Sequence, residues 1–272
     1  MVCKAAQILA LCLCCMAWLR LYAAAYAPEE IVGQPGMLLA AMSGNGSLSD
    51  ESVMGDALAD AIRQRAGAEL AIVPGCAMTG NLEPKPQTYA DVCAVLAEPE
   101  EPVVMAAVSA AGLREMLEAG VAAVVLDERE AIDREASAFG GFPQVSGFTF
   151  VYDASARPGE RVTHIRMNGR ELDPEDGAVY TFAAPESLLQ GAWRYPPRES
   201  EPVGASLAEA LADYIAAGTG DAYTGEGRIA AVGCTDDSIV NRFPLVTCVL
   251  AAIVIWLGAR LWKFKYFDRT TR

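Results

Sequence analysis

Two apolar runs bracket a body whose apolar positions recur with helical or strand periods. Near the start, Lys4 precedes a largely apolar stretch from Ala5 to Leu19, followed by Arg20 and a small-residue tract to Ala27. A positive start, a short apolar core and Ala-rich flanks predict a signal peptide or uncleaved signal anchor over residues 1–27. Pro28 disfavours cleavage after Ala27, which leaves the Ala23-Ala24-Ala25 site or retention as an anchor. The second run, Phe243 to Ala259, carries no charge and reaches Trp262 if Arg260 snorkels. Roughly 17 to 20 residues at about 1.5 Å rise cover most of a hydrocarbon core. Trp256, Trp262, Phe264, Tyr266 and Phe267 supply interfacial rings, and Lys263 and Lys265 follow. The positive-inside rule then predicts a transmembrane helix over 243–262, a basic cytoplasmic tail at 263–272, and the body outside the cytoplasm.

Within the body, a short apolar strand is expected at Met37 to Met42, inside a Gly-rich stretch read as a linker over residues 28–50. Ser49 or Asp50 is expected to cap a helix running to about Arg65, with Val53, Met54, Ala57, Leu58, Ala61 and Ile62 on one face. A strand at Leu70 to Val73, a helix at Tyr89 to Ala97, a buried strand at Val103 to Val108 and a helix at Ala110 to Ala119 follow. Asp127 to Glu135 reads as a solvated excursion. Alternation then predicts strands at Val145 to Tyr152, Val162 to Met167 and Val179 to Ala183, with turns at Pro158-Gly159 and Asn168-Gly169. A helix at Ser206 to Ala217 and a strand at Arg228 to Val232 close the domain, and 233–242 joins it to the membrane segment. Helices mixed with antiparallel hairpins predict an α+β class, a single mixed-sheet domain over 51–232.

Composition narrows the partners. The net charge of -14 leaves the body more acidic still, because Arg260, Lys263, Lys265, Arg269 and Arg272 all sit in the last stretch. Nucleic acid is excluded as a partner, since binding it relies on cations replacing counterions. The 53% hydrophobic content fits membrane segments added to one buried core. Of eight cysteines only Cys76, Cys93 and Cys234 lie in the body, with no CxxC spacing for zinc or redox work. Cys76 and Cys93 either pair in an oxidising compartment or serve as small buried hydrophobes. Asn45-Gly46-Ser47 matches a glycosylation sequon.

In order along the chain, several stretches resemble the C-terminal, substrate-recognition domain of the 5'-nucleotidase family. They are Glu51 to Arg63, Gly67 to Val73, Thr88 to Val92, Gly112 to Glu118, Phe142-Pro143-Gln144-Val145-Ser146-Gly147 with Phe148 to Asp153, Val162 to Leu172, and Gly227-Arg228-Ile229. The likeness runs from Glu51 to Ile229. It implies a domain that grips the nucleoside part of a substrate, beside a preceding metallophosphatase domain holding two metal ions through Asp, His and Asn. Little chain precedes Glu51 here, and His164 is the only histidine. The resemblance therefore implies the recognition half alone, with no cofactor or metal of its own, no catalytic residue, and His164 as an ordinary strand residue.

Measured against the family's pattern, the ligand-holding positions have changed. The glycine-rich turn that ends in arginine in relatives reads Pro74 to Thr79 here, with Thr79 in the arginine's place. Glu98 to Pro102 replaces a Pro-Phe-Gly-Asn phrase and puts carboxylates where an anion would be repelled. Of two rings that sandwich the base, Phe142 remains, either as a stacking face or as a core aromatic, and the second has become Ser187. Trp193 could restore that face. Thr79, Phe142 and Trp193 are thus the candidate ligand residues. Three readings follow: a degenerate binding or interaction module facing an envelope protein or another, nucleoside-like ligand; a recognition subunit serving a separate metallophosphatase in nucleotide catabolism; or a purely structural role in the envelope.

Overall fold

The computed structural model describes residues 26–41, 46–218 and 227–235. In chain order these form β1 (Ile31–Gly33), α1 (Val53–Ala66), β2 (Leu70–Pro74), β3 (Gln87–Thr88), α2 (Tyr89–Ala94), β4 (Pro102–Ser109), α3 (Ala110–Val121) and β5 (Pro143–Ser146). Then come β6 (Thr149–Asp153), β7 (Val162–Met167), β8 (Arg170–Glu171), β9 (Val179–Pro185), α4 (Glu186–Leu189), β10 (Glu201–Ser206), α5 (Leu207–Ala216) and β11 (Ile229–Val232). A five-stranded mixed sheet runs β10-β4-β9-β2-β5, a four-stranded sheet runs β11-β6-β7-β8, and β1 pairs with β3. The architecture is α+β.

The five-stranded sheet separates two cores. Along β2 every residue is buried, and alternate side chains serve opposite faces. Ala71 and Val73 meet α1 and α5 through Met54, Leu58, Ile62, Leu207 and Leu211. Leu70 and Ile72 face the other way, onto Leu113 and Leu117 of α3 and onto Phe142, Phe150 and Phe182. A strand covered on both faces reads as a continuous apolar run, which is how Leu70 to Val73 reads.

The ends of elements depart from the periodic pattern where tertiary bonds intervene. Ser52, not Ser49 or Asp50, caps α1, its hydroxyl accepting from Gly55 N at 3.1 Å. Gln144 of β5 fixes that cap: its Oε1 accepts from Ser52 N at 2.9 Å, and its Nε2 donates to the carbonyls of Ser47 and Asp50. These bonds hold Ser52 extended, with Ser49 and Asp50 in the turn before it, so the helix starts after Ser52. The expected strand from Val145 to Tyr152 is two strands in two sheets. Gly147 breaks it at φ +85°, where an added Cβ would overlap the Glu69 carbonyl oxygen. The helix expected to Ala97 stops at Ala94, because Ala97 N donates to Ala77 O and Leu96 bridges Met78. The Met37 to Met42 strand is reduced to one bridge between Leu39 and Leu82, and Met42 lies outside the described residues.

The 28–50 stretch, read as a linker, packs as part of the domain. β1 pairs with β3, Val32 and Leu39 are buried, and Tyr26 Oη donates to Asp213 at 2.5 Å. Cys76 and Cys93 carry free thiols, so the disulfide alternative is not realised. Among the described residues no helix is long and apolar enough to cross a membrane. The segments 1–25 and 236–272, with Cys3, Cys12, Cys14, Cys15, Cys248 and the Phe243–Trp262 span, lie outside them, as does Asn45 of the sequon.

One buried polar cluster ties the first long helix to the last strand. Arg228, just ahead of β11, grips Asp60 of α1 with two bonds of 2.9 Å and donates to Val145 O of β5 at 2.9 Å. Arg63 donates to Ser146 Oγ at 2.6 Å, and Ser146 in turn donates to Asp60. Leaving one charge of such a pair unmatched in the interior costs far more than removing an exposed pair. Arg228→Ala should therefore cost about 3–5 kcal/mol in denaturant unfolding. Arg65→Ala, which removes the exposed pair with Asp213 at 2.9 Å, should stay within about 1 kcal/mol.

Candidate functional site

Strand directions bring the candidate segments to one end of the five-stranded sheet. β2 and β9 run parallel, and their carboxyl ends lead into the turn at Gly75–Ala77 and into α4. β5 and β4 run antiparallel to these two, with Pro74 opposite Pro143 and Val103 opposite Pro185. Phe142 and the Glu98–Pro102 segment therefore enter their strands at the same end. Ligands of sheets with parallel strands gather at such carboxyl ends, because loops there converge without blocking the ladder.

The turn after β2 is held on both sides. Gly75 N donates to Phe142 O at 2.8 Å, and Cys76 N to Gly140 O at 3.0 Å. Gly75 must be glycine, since a Cβ there would overlap the Ser47 carbonyl oxygen. Beyond it Thr79 is exposed, its N–H donating to Val95 O at 2.8 Å. Thr79 lies on a cleft of about 500 Å³ lined also by Ala41, Ser47, Leu48, Cys76, Met78 and Asn81. Among the described residues no charged side chain lines it. Burial pushes the Cys76 thiol up, which keeps it protonated and a poor nucleophile.

Phe142 and Trp193 stand away from that cleft. Phe142 is 1% exposed and packs in the core, so its ring offers no open face. Trp193 is half-buried against Gly140 and Gly141: a Cβ on Gly140 would sit 2.8 Å from Trp193 Nε1 and 3.4 Å from Cys76 Cβ. Trp193 and Cys76 thus flank one point, but the indole does not line the cleft. The backbone at Trp193 and Arg194 is left-handed, at φ 52° and 65°, a costly conformation for side chains of this size. Tyr195 anchors it, fully buried, with its hydroxyl donating to Gly141 O at 2.9 Å.

The acidic segment serves the fold. Glu101 O and Pro99 O accept from Leu207 N and Ala208 N, each at 3.0 Å, which satisfies the first turn of α5. The Glu101 carboxylate accepts from Ser187 N at 2.8 Å at the start of α4. Glu101 and Ser187, 86 residues apart, therefore bond to each other, a pairing no local pattern announces. His164 is exposed on β7, 3.1 Å from Glu171. Among the described residues no group of three or more His, Cys, Asp and Glu could hold a metal ion.

A mixed sheet between two cores, with its loops gathered at the carboxyl ends of two parallel strands, defines an α+β domain. Residues 35–196, more than half of the chain, match the family described as 5'-nucleotidase, C-terminal domain, and the chain belongs to that family. Its structure is similar to a 5'-nucleotidase precursor from Thermus thermophilus, with TM-score 0.63 and 21% identity over 75% of this chain and 40% of that one. It is similar also to the NAD nucleotidase of Haemophilus influenzae, with TM-score 0.61 and 15% identity over 75% of this chain and 38% of that one. A sulfate thiohydrolase from Thermus thermophilus shares the fold at TM-score 0.54 and 21% identity, over 75% of this chain and 35% of that one. The chain thus spans well under half the length of these structures. No curated protein sequence matches it.

Gly141 makes the Trp193 seat testable, because a Cβ there would overlap Trp193 Cβ and stand 2.8 Å from the Phe139 ring. Gly141→Ala should cost about 1–3 kcal/mol by overpacking. It should also change the emission that wild type shows over a Trp193→Phe reference.

Proposed function

We propose that this chain is a membrane-anchored, extracytoplasmic binding or interaction module built on the nucleoside-recognising half of the 5'-nucleotidases, not hydrolytic on its own. The observation that carries this reading is the state of the gathered loops. The ring that would stack on a base is 1% exposed, and the acidic segment is bonded to Ser187 rather than held ready for a ligand. Thr79, where relatives place an arginine, leaves the cleft without a cation among its described residues. A phosphate entering such a site meets no compensating charge, so desolvation goes unopposed. The membrane partner is the Phe243–Trp262 span, whose support is its uncharged length and basic flank. The acidic body suits a protein partner in the envelope better than a polyanion.

A second reading keeps a recognition role beside a separately encoded metallophosphatase, in nucleotide catabolism. The half-buried indole of Trp193, seated on Gly140 and Gly141 at the same end of the sheet as Thr79, favours it. In that case the membrane supplies the proximity that covalent linkage gives a two-domain chain.

Calorimetry of the full chain in detergent with adenosine and with AMP separates the two. The module reading expects no heat from either ligand at millimolar concentration. Adenosine binding that is lost in Trp193→Ala would favour the recognition subunit instead. AMP binding tighter than adenosine would contradict both, since nothing described in the cleft pairs with a phosphate.

A further inference from the structure

Tyr26, the first described residue, is already bonded into the domain. Its hydroxyl donates to Asp213 of α5 at 2.5 Å, and the other Asp213 oxygen accepts from Arg65 of α1 at 2.9 Å. Its half-buried ring packs on the core and stacks on Tyr89 of α2, with centroids 5.4 Å apart and planes 24° from parallel. The backbone that follows completes the start of α2. Pro28 O accepts from Ala90 N and Glu30 O from Tyr89 N, each at 2.9 Å, so two amides that a helix start leaves without partners are met. Ile31 and Gly33 then pair with β3. Residues 26–33 thus form a strap across α2 and α5, and all of it lies ahead of residue 35, where the family match begins.

The sequence leaves three fates for the leading segment: a cut after Ala25, a cut after Ala27, or retention. A cut after Ala27 would discard Tyr26, and with it the bond to Asp213 and the stack on Tyr89. It would also strip Glu30 of both its contacts with Ala27, whose N–H donates to Glu30 Oε2 at 3.1 Å and whose carbonyl accepts from Glu30 N at 3.0 Å. A cut after Ala25 keeps every one of these contacts. It also creates a charge: water hydrolyses the Ala25–Tyr26 peptide bond, the carboxylate leaves with Ala25, and Tyr26 gains an α-ammonium. That cation forms one residue along the chain from the amide that Glu30 already holds, and the Glu29 carboxylate follows closely in sequence. Opposite charges brought this near favour each other. Retention gives the Glu30 carboxylate no such charge to meet.

We propose that Tyr26 is the first residue of the mature protein: an export peptidase cuts between Ala25 and Tyr26, and the new terminus is strapped to α2 and α5. The inference rests on the extracytoplasmic reading given above. Ala23 and Ala25 supply the small side chains that such a peptidase accepts ahead of its cut. With the leading segment removed, the Phe243–Trp262 span is the one anchor, and the chain crosses the membrane once.

The full chain, expressed in an export-competent bacterial host and extracted from its membranes, tests this by N-terminal sequencing and intact mass. The expected first residue is Tyr26. Any other first residue on an exported chain, Pro28 included, overturns the proposal. A chain that stays whole and meets added protease only after the cells are opened removes the export reading, and this inference with it. Ala25→Leu should abolish the cut and Ala27→Leu should leave it in place; the reverse pattern points to the later bond and overturns the proposal. The strap has its own readout in hydrogen exchange of the processed chain. Tyr26→Phe, which loses the bond to Asp213, should speed exchange of the Tyr89 and Ala90 amides by about tenfold while α3 keeps its protection. Unchanged exchange at those two amides would show that Tyr26 straps nothing.

Discussion

Arg228 is the point on which the two ends of the domain meet. Its guanidinium lies 11% exposed between α1 and β5, and its fork on Asp60 joins residues 168 apart in sequence. A buried guanidinium is tolerable only when its donors are met, and here Asp60 and the Val145 carbonyl meet them. Beside the fork, Gly227 N and Ile229 N donate to Glu51, so the closing strand is bonded to the entry of α1. Gln144 does comparable work at the other end of β5, holding the entry to α1. Helix α1 is thus located by two polar anchors, and its apolar face then fills the space they define.

That frame brings four loops to one end of the five-stranded sheet, the position from which a recognition domain would bind. What fills the end is largely the protein itself. Tyr195 reaches under Gly141, Trp193 lies on the glycine pair, and Glu101 bonds to Ser187. Each contact satisfies a group that an open site would leave to water or to a ligand. Left-handed backbone at Trp193 and Arg194 is strain held in place by the buried Tyr195 beside it. At this end of the sheet the buried aromatic and polar groups are bonded within the domain.

Elements that answer to local rules were legible in the chain. α3, β4, β7 and the Asn168-Gly169 turn fall where periodicity and turn chemistry put them, and the long apolar run at Leu70 is a strand buried on both faces. Element limits were less legible where a partner distant in sequence captured the backbone. Ala77 ends α2 early by accepting from Ala97, and Gln144 moves the cap of α1 to Ser52. The 28–50 stretch looks like a linker because it is Gly-rich and turn-like, yet Val32 and Leu39 are buried once β3 and Leu82 are beside them.

The candidate site divides along the same line. Family membership followed from ordered phrases such as Phe142 to Gly147, since residues that pack in sequence-local patterns keep their signature. Thr79 could be placed at the turn after β2 from the sequence alone. Whether Phe142 faces a ligand or the core could not, because that depends on what Tyr195 and Trp193 do some fifty residues later. The chain by itself determined the α+β class, the family and the acidic surface, all set by composition and short-range spacing. Only the tertiary structure decided that the ring is buried, that Glu101 answers Ser187, and that Asp56 and Asp60 both face Arg228. Such facts are distances between segments, and a burial or a charge balance exists only once those segments have met.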